Sequence, residues 1–227
     1  MSRAVGQTWG ETAPEVGVCV SATDVRAGFV RRGDQAQGLK VGVLAVQGAF
    51  IEHERVLREF GATVVELRQA ADITEDLDGL VLPGGESTTQ HLLLDDLGMT
   101  GPLRRQVEGG LPVLATCAGM ILLASEVRGG GTPCLGTIPM RVLRNAYGRQ
   151  IDSFHTTAPV EGVDPVPMTF IRAPCVEEVG DGVKVLSRVD GRIVAVRYGA
   201  QVALAFHPEL DGSRAIHQAF LRLVAGA

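Results

Sequence analysis

Ala115-Thr-Cys-Ala-Gly119 joins one apolar run to another through small residues. This is the layout of a nucleophile elbow, with cysteine where a hydrolase carries serine and alanine in place of the first glycine. Small neighbours allow a tight turn, so the Cys117 side chain projects. A helix starting directly behind it would aim free N–H groups and its positive end at the sulfur, favouring the thiolate that attacks carbonyl carbon. A lone thiol can equally be a buried core residue. Strand-to-helix placement favours the nucleophile for Cys117, whereas Cys19, Cys134 and Cys175 lack that setting and read as ordinary reduced thiols.

A thiol nucleophile needs a base. His207 follows the apolar run Val202–Phe206, and Glu209 stands two residues on, where an extended backbone puts both side chains on one face. A carboxylate beside an imidazole holds the tautomer whose other nitrogen takes the thiol proton, and it stabilises the imidazolium formed. A metal site from His207, Glu209 and His217 lacks the helical H-x-x-x-H spacing, so neither metal nor cofactor is expected. His53, His91 and His155 sit among polar neighbours and are expected at the surface. Acyl transfer also requires donors for the oxyanion. The Gly84-Gly85 turn, through the N–H of Gly85, and the N–H of Ala118 are the candidates. A phosphate loop is the rival reading of Gly84-Gly-Glu-Ser87, but Glu86 would repel phosphate and neither glycine-rich phosphate spacing is present.

These residues act together only if the fold sets them at neighbouring strand ends. Lys40–Val46 is a continuous apolar β-run, and Phe50, Val56, Leu57 and Phe60 share a helical face that Gly61 ends. Thr63–Leu67 and Gly79–Leu82 are further strands. Ser87 or Thr88 is the expected cap of a helix carrying Leu92, Leu93, Leu94 and Leu97. Pro112–Ala115 is a fourth strand, followed by an expected helix over Met120–Val127. Short apolar strands alternating with helices predict an α/β fold, a flavodoxin-like, doubly wound and mostly parallel sheet, in which ligands bind at the carboxyl ends of the strands. The second half, with strands at Met168–Arg172, Val183–Val189, Arg192–Tyr198 and Val202–Phe206 and a hairpin at Asp190-Gly191, predicts an antiparallel extension. Arg214–Val224 is a closing helix.

Composition narrows the class. Among 227 residues no apolar run approaches a membrane span, and no segment resembles a signal peptide, which predicts a cytoplasmic chain away from membranes. A net charge of −5, with 21 basic residues spread along the chain in no run longer than two, leaves no basic stripe for nucleic acid. Residues 1–38 carry four acids, four bases and no period, so the whole net charge falls on residues 39–227. The first 38 are expected to be a disordered extension or the product of a misplaced start, with translation beginning near Leu39. A strand at Val16–Val20 on a sheet edge is the alternative.

Five motifs carry a family resemblance: Pro-Gly-Gly-Glu-Ser-Thr (83–88), Thr-Cys-Ala-Gly (116–119), Arg-Asn-Ala-Tyr-Gly-Arg-Gln (144–150), Phe-Ile-Arg-Ala-Pro (170–174) and Phe-His-Pro-Glu-Leu (206–210). Together, in order over residues 40–225, they resemble the glutaminase subunits of pyridoxal 5′-phosphate synthases, a family of triad-type, class I glutamine amidotransferases. The resemblance implies hydrolysis of L-glutamine to glutamate and ammonia, with ammonia passed through a channel to a partner synthase barrel. That barrel builds pyridoxal 5′-phosphate from ribose 5-phosphate and glyceraldehyde 3-phosphate. It further implies Cys117 as nucleophile, His207 and Glu209 as base and orienting acid, and Gly85, Glu86, Ser87, Arg144, Ile171 and Arg172 as the residues that hold glutamine. An arginine suits that substrate, because guanidinium meets a carboxylate with two parallel hydrogen bonds. Gln47-Gly48-Ala49 resembles a family loop near the oxyanion hole, and is equally readable as a plain strand-to-helix turn. His155 departs from the family, where an acidic residue is expected. Two other readings share parts of this pattern: a stand-alone cysteine hydrolase, and a binding module that uses Cys117 only as a redox sensor.

Overall fold

Short strands that are apolar on both faces can only lie inside, and two such runs, one of them closed by Thr116, sit next to each other within the sheet. In the computed structural model, which describes residues 36–146 and 153–226, β3 (Gly79–Leu82) and β4 (Val113–Thr116) are buried at every position. β1 (Lys40–Leu44) pairs in parallel with β3 and with β2 (Thr63–Leu67). β4 pairs in parallel with β3 and with β12 (Gln201–Leu204). The resulting order β2-β1-β3-β4-β12 is that of a flavodoxin-like doubly wound sheet, with the last strand of the chain taking the fifth place.

Beyond β12 the sheet turns antiparallel, as the strand spacing predicts. β11 (Arg192–Tyr198) runs against β12 and β9 (Cys175–Val179), and β9 runs against β6 (Ile138–Leu143). β5 (Ala124–Arg128) lies parallel to β6 at the edge, and β10 (Lys184–Val189) pairs with β11. Asp190 and Gly191 join those two strands at φ 49° and 75°, the positive values a type I′ turn demands. β7 (Phe154–Val160) and β8 (Val163–Phe170) form a separate antiparallel hairpin.

The helices are α1 (Phe50–Glu59), α2 (Ser87–Asp96), α3 (Thr100–Glu108), α4 (Ala118–Leu123) and α5 (Ala215–Val224). Two expectations need correction. The apolar stretch Met120–Val127 is divided, since α4 ends at Leu123 and β5 begins at Ala124; apolarity alone does not separate a buried helix from a strand. The cap of α2 is Glu86 rather than Ser87 or Thr88, its carboxylate accepting from the amides of Thr88 and Thr89. On that helix Leu94 is buried, while Leu92 is 61% exposed and Leu97 39%, because neighbouring helical positions point in different directions. Periodicity gives no expectation for α3, β6, β7 or β9, which the structure contains.

Ala36 is buried and donates to the carbonyl of Phe60, so it belongs to the folded body. Residues 1–35 of the expected tail, with Cys19 and the Val16–Val20 strand, and residues 147–150 of the third motif quoted lie outside the described residues. No helix among the described residues is long and apolar enough to cross a membrane.

Candidate active site

Cys117 sits where β4 gives way to α4. Its amide donates to the carbonyl of Leu204 at 2.8 Å, continuing the ladder to β12, and the backbone then turns sharply through φ 47° and ψ −102°. Such a value is costly for a residue with a Cβ, and it projects the side chain off the strand end. Gly119 makes the turn possible, because a Cβ there would collide with the carbonyl oxygen of Leu82. The helix can thus lie directly on β3, with Cys117 only 7% exposed.

β12 ends at Leu204, so the expected strand alternation does not reach Glu209. A turn does the work instead: the amide of His207 donates to Thr169 O at 2.9 Å, and that of Leu210 donates back to His207 O. Nδ1 of His207 then lies 2.7 Å from Oε1 of Glu209, leaving the other ring nitrogen for Cys117. Gly84 passes close to both residues, since a Cβ on it would strike the His207 ring and stand 3.3 Å from Cys117 Cβ. Burial works against a charge on His207, but the Cys117 sulfur and the Glu209 carboxylate outweigh it and push its pKa up to about 10.

The loop opposite the thiol is held on three sides. Gly84 N–H donates to Thr116 Oγ1 at 3.0 Å, and Gly84 O accepts from Ala49 N at 3.0 Å. Gln47 Oε1 accepts from Glu86 N at 2.9 Å. The 47–49 loop is therefore more than a connection: it braces the Gly84–Glu86 backbone. With its carbonyl fixed on Ala49, the Gly84–Gly85 peptide points the N–H of Gly85 the other way, and Gly85 lines the cleft that holds Cys117.

That cleft is bounded by Gly85, Glu86, Ser87, Cys117, Ala118, Arg144, Ile171 and Arg172. Every substrate-binding position inferred from the family resemblance thus faces one space with the thiol. Ile121, Asn145 and Pro174 also line it; Asn145 and Pro174 stand inside two of the quoted motifs without an assigned role, and Ile121 carries no sequence signal beyond its apolar run. Arg144 donates to Glu86 Oε1 at 2.9 Å and to Gly130 O at 2.7 Å. Burial alone would raise the pKa of Glu86, but the amides and hydroxyl of its own helix cap hold it below the usual value. Arg172 adopts a positive φ of 44° at the cleft wall. A larger recess of about 260 Å³ near α5, lined by Leu114, Val160, Leu186 and Phe220, contains none of these groups.

One histidine expectation fails outright. His53 is fully buried, its Nε2 3.3 Å from Glu209 Oε2 and 3.2 Å from Thr116 Oγ1, its Nδ1 3.0 Å from His217 Nε2. Polar sequence neighbours misled the reading because α1 turns only one face to the sheet, and His53 is on that face with Val56 and Leu57. His91 is half-buried beside Asp95, at 3.3 Å, and His155 is exposed, accepting or donating at Thr169 Oγ1 at 2.9 Å. No cluster of three or more potential metal ligands occurs among the described residues.

A doubly wound sheet that presents thiol, imidazole and carboxylate in sequence at the carboxyl ends of its strands has the layout of an α/β enzyme that transfers acyl groups through cysteine. The chain belongs to the SNO glutamine amidotransferase family, whose model matches residues 43–225. It is similar to pyridoxal 5′-phosphate synthase subunit PdxT of Desulfitobacterium hafniense, at 55% identity over 83% of this chain and 94% of that protein. The PdxT subunit of Methanocorpusculum labreanum is 52% identical over 83% and 99% of the two chains. A solved glutamine amidotransferase structure superposes with a TM-score of 0.77 at 43% identity, covering 82% of this chain and 98% of its own.

Proposed function

We propose that residues 39–227 form a glutaminase that hydrolyses L-glutamine through a Cys117–His207–Glu209 triad and delivers ammonia to the synthase barrel of a pyridoxal 5′-phosphate synthase in the cytoplasm. The observation that carries this reading is the 2.7 Å His207–Glu209 contact directly behind Cys117, in the cleft lined by every expected glutamine-binding residue.

Against burial, the Cys117 sulfur and the Glu209 carboxylate push the pKa of His207 up to about 10, which favours its imidazolium at neutral pH as the partner of a nucleophilic sulfur. The thiolate attacks the carboxamide carbon. The oxyanion is met by the N–H groups of Gly85 and Ala118, the latter unpaired because it opens a helix. Collapse breaks the C–N bond, the imidazolium protonates the departing nitrogen, and ammonia leaves a thioester on Cys117. Water attacks the thioester with neutral His207 as base, releasing glutamate and restoring the pair. Arg144 offers its guanidinium to the α-carboxylate of glutamine, and Glu86, Ser87, Ile171 and Arg172 shape the rest of the pocket. No metal, cofactor, nucleic acid or membrane takes part.

The test is ammonia release from glutamine by the chain co-purified with its synthase partner. Release that requires the partner and disappears in Cys117→Ala is the expected result. Activity surviving Cys117→Ala would exclude the nucleophile, and full turnover of another amide without any partner would favour a stand-alone hydrolase. A cysteine acting only as a redox sensor would show no preference for a glutamine-shaped electrophile.

A further inference from the structure

The triad geometry leaves one carboxylate oxygen to be explained. Oε1 of Glu209 is taken by His207, but Oε2, equally buried, makes no aligned hydrogen bond and lies 3.3 Å from Nε2 of His53. A buried carboxylate oxygen without a donor carries a desolvation cost. His53 is not an incidental neighbour: it reaches in from α1 and is itself held by His217 on α5 and by Thr116 at the end of β4.

The proton arrangement follows from the partners. His53 is held neutral by its burial and by the neighbouring His217 and His207, and burial with Arg214 nearby lowers the pKa of His217 to about 3, against a smaller opposing effect of Glu59. Each ring therefore carries one proton. If His53 held it on Nδ1, donating to His217 Nε2, then His217 would carry its own proton on Nδ1, which is buried and has no partner. The bare Nε2 of His53 would also face the Glu209 carboxylate. Orphaned buried N–H groups are rare and lone pairs repel a carboxylate, so the opposite arrangement wins. His217 Nε2–H donates to His53 Nδ1, and His53 Nε2–H is directed to Thr116 Oγ1, with Glu209 Oε2 3.3 Å from the same nitrogen.

We propose that His53 is a positioning residue of the triad: its Nε2–H pins Oε2 of Glu209, so that Oε1 stays on His207 and the imidazolium remains aimed at Cys117. The inference rests on the glutaminase reading above. Thr116 extends the same hold to the oxyanion side, because its Oγ1 also accepts the N–H of Gly84 at 3.0 Å. One imidazole thus touches the back of the carboxylate and the support of the loop opposite the thiol.

The experiment compares wild type, His53→Gln, His53→Asn and His53→Leu, each complexed with the synthase, with Cys117→Ala as the control. A glutamine amide nitrogen can occupy the place of Nε2, whereas that of asparagine reaches only the place of Nδ1. His53→Leu and His53→Asn are expected to lower kcat about 10- to 100-fold, the loss of one hydrogen bond to a charged group, with the KM for glutamine unchanged. In both, the alkaline limb of the kcat/KM profile moves to lower pH, because a less firmly held carboxylate supports the imidazolium less well. His53→Gln should retain most of the activity and keep the limb in place. Should His53→Leu fail to fold, the contrast between glutamine and asparagine decides. The proposal is overturned if asparagine matches wild type, or if glutamine is as damaging as asparagine. Absence of Cys117-dependent ammonia release from the wild type would instead sink the glutaminase reading on which it rests.

Discussion

Nδ1 of His207 stands 2.7 Å from Oε1 of a fully buried Glu209 side chain, two residues along a turn rather than a strand. The contact fixes which ring nitrogen faces the thiol, and its removal has a calculable effect. Glu209→Gln keeps the shape but can present an amide N–H to Nδ1, favouring the tautomer with its proton on the wrong nitrogen. A fall in kcat of roughly 10²- to 10⁴-fold is expected, with little change in the KM for glutamine, measured by steady-state ammonia release in the synthase complex.

The buried imidazoles impose opposite pH dependences on stability. His207 has a folded pKa raised to about 10, so its contribution is complete below the unfolded value of about 6.5 and is lost as pH rises towards 10. His53 and His217 are depressed, the latter to about 3, so their contribution is present above about 6.5 and lost as pH falls towards 3. Each proton taken up only by the unfolded chain removes about 1.4 kcal/mol per pH unit. Denaturant titrations between pH 4 and 9 should show stability falling on the acid side with the slope of about two protons, and His217→Leu should lower that slope by about one.

Glycine at position 119 is a packing requirement. Gly119→Ala places a methyl group against the Leu82 carbonyl and should cost about 1–3 kcal/mol in thermal or chemical unfolding. Gly48→Ala differs in kind: φ is +103° there and the new Cβ would strike Gly84 O. It should displace the loop that carries Gly85 and depress kcat beyond what the loss of stability explains.

Glu86 has two tasks that mutation can separate. It caps α2 and pairs with Arg144, so Glu86→Ala should cost about 1 kcal/mol of stability and raise the KM for glutamine. Arg144→Met removes only the guanidinium. A raised KM with smaller loss of stability is the expected outcome, from parallel melting curves and kinetics.

Much of this protein was legible in its residues. Buried four-residue strands announce themselves as unbroken apolar runs, and small residues around Cys117 mark a turn that no larger side chain would permit. Those are local properties, and local sequence determined the parallel sheet and the identities of Cys117, His207 and Glu209 as candidates, but not where β1 and β12 end. Where one apolar run served two elements, as at Leu123 and Ala124, sequence had no means of placing the boundary. His53 was misjudged for a deeper reason. It lies 63 residues from Thr116 and 164 from His217, and only the tertiary approach of α1 and α5 brings the three together beside Glu209. Whether a histidine is wet or buried depends on which helix face meets the sheet, and tertiary packing alone decides that.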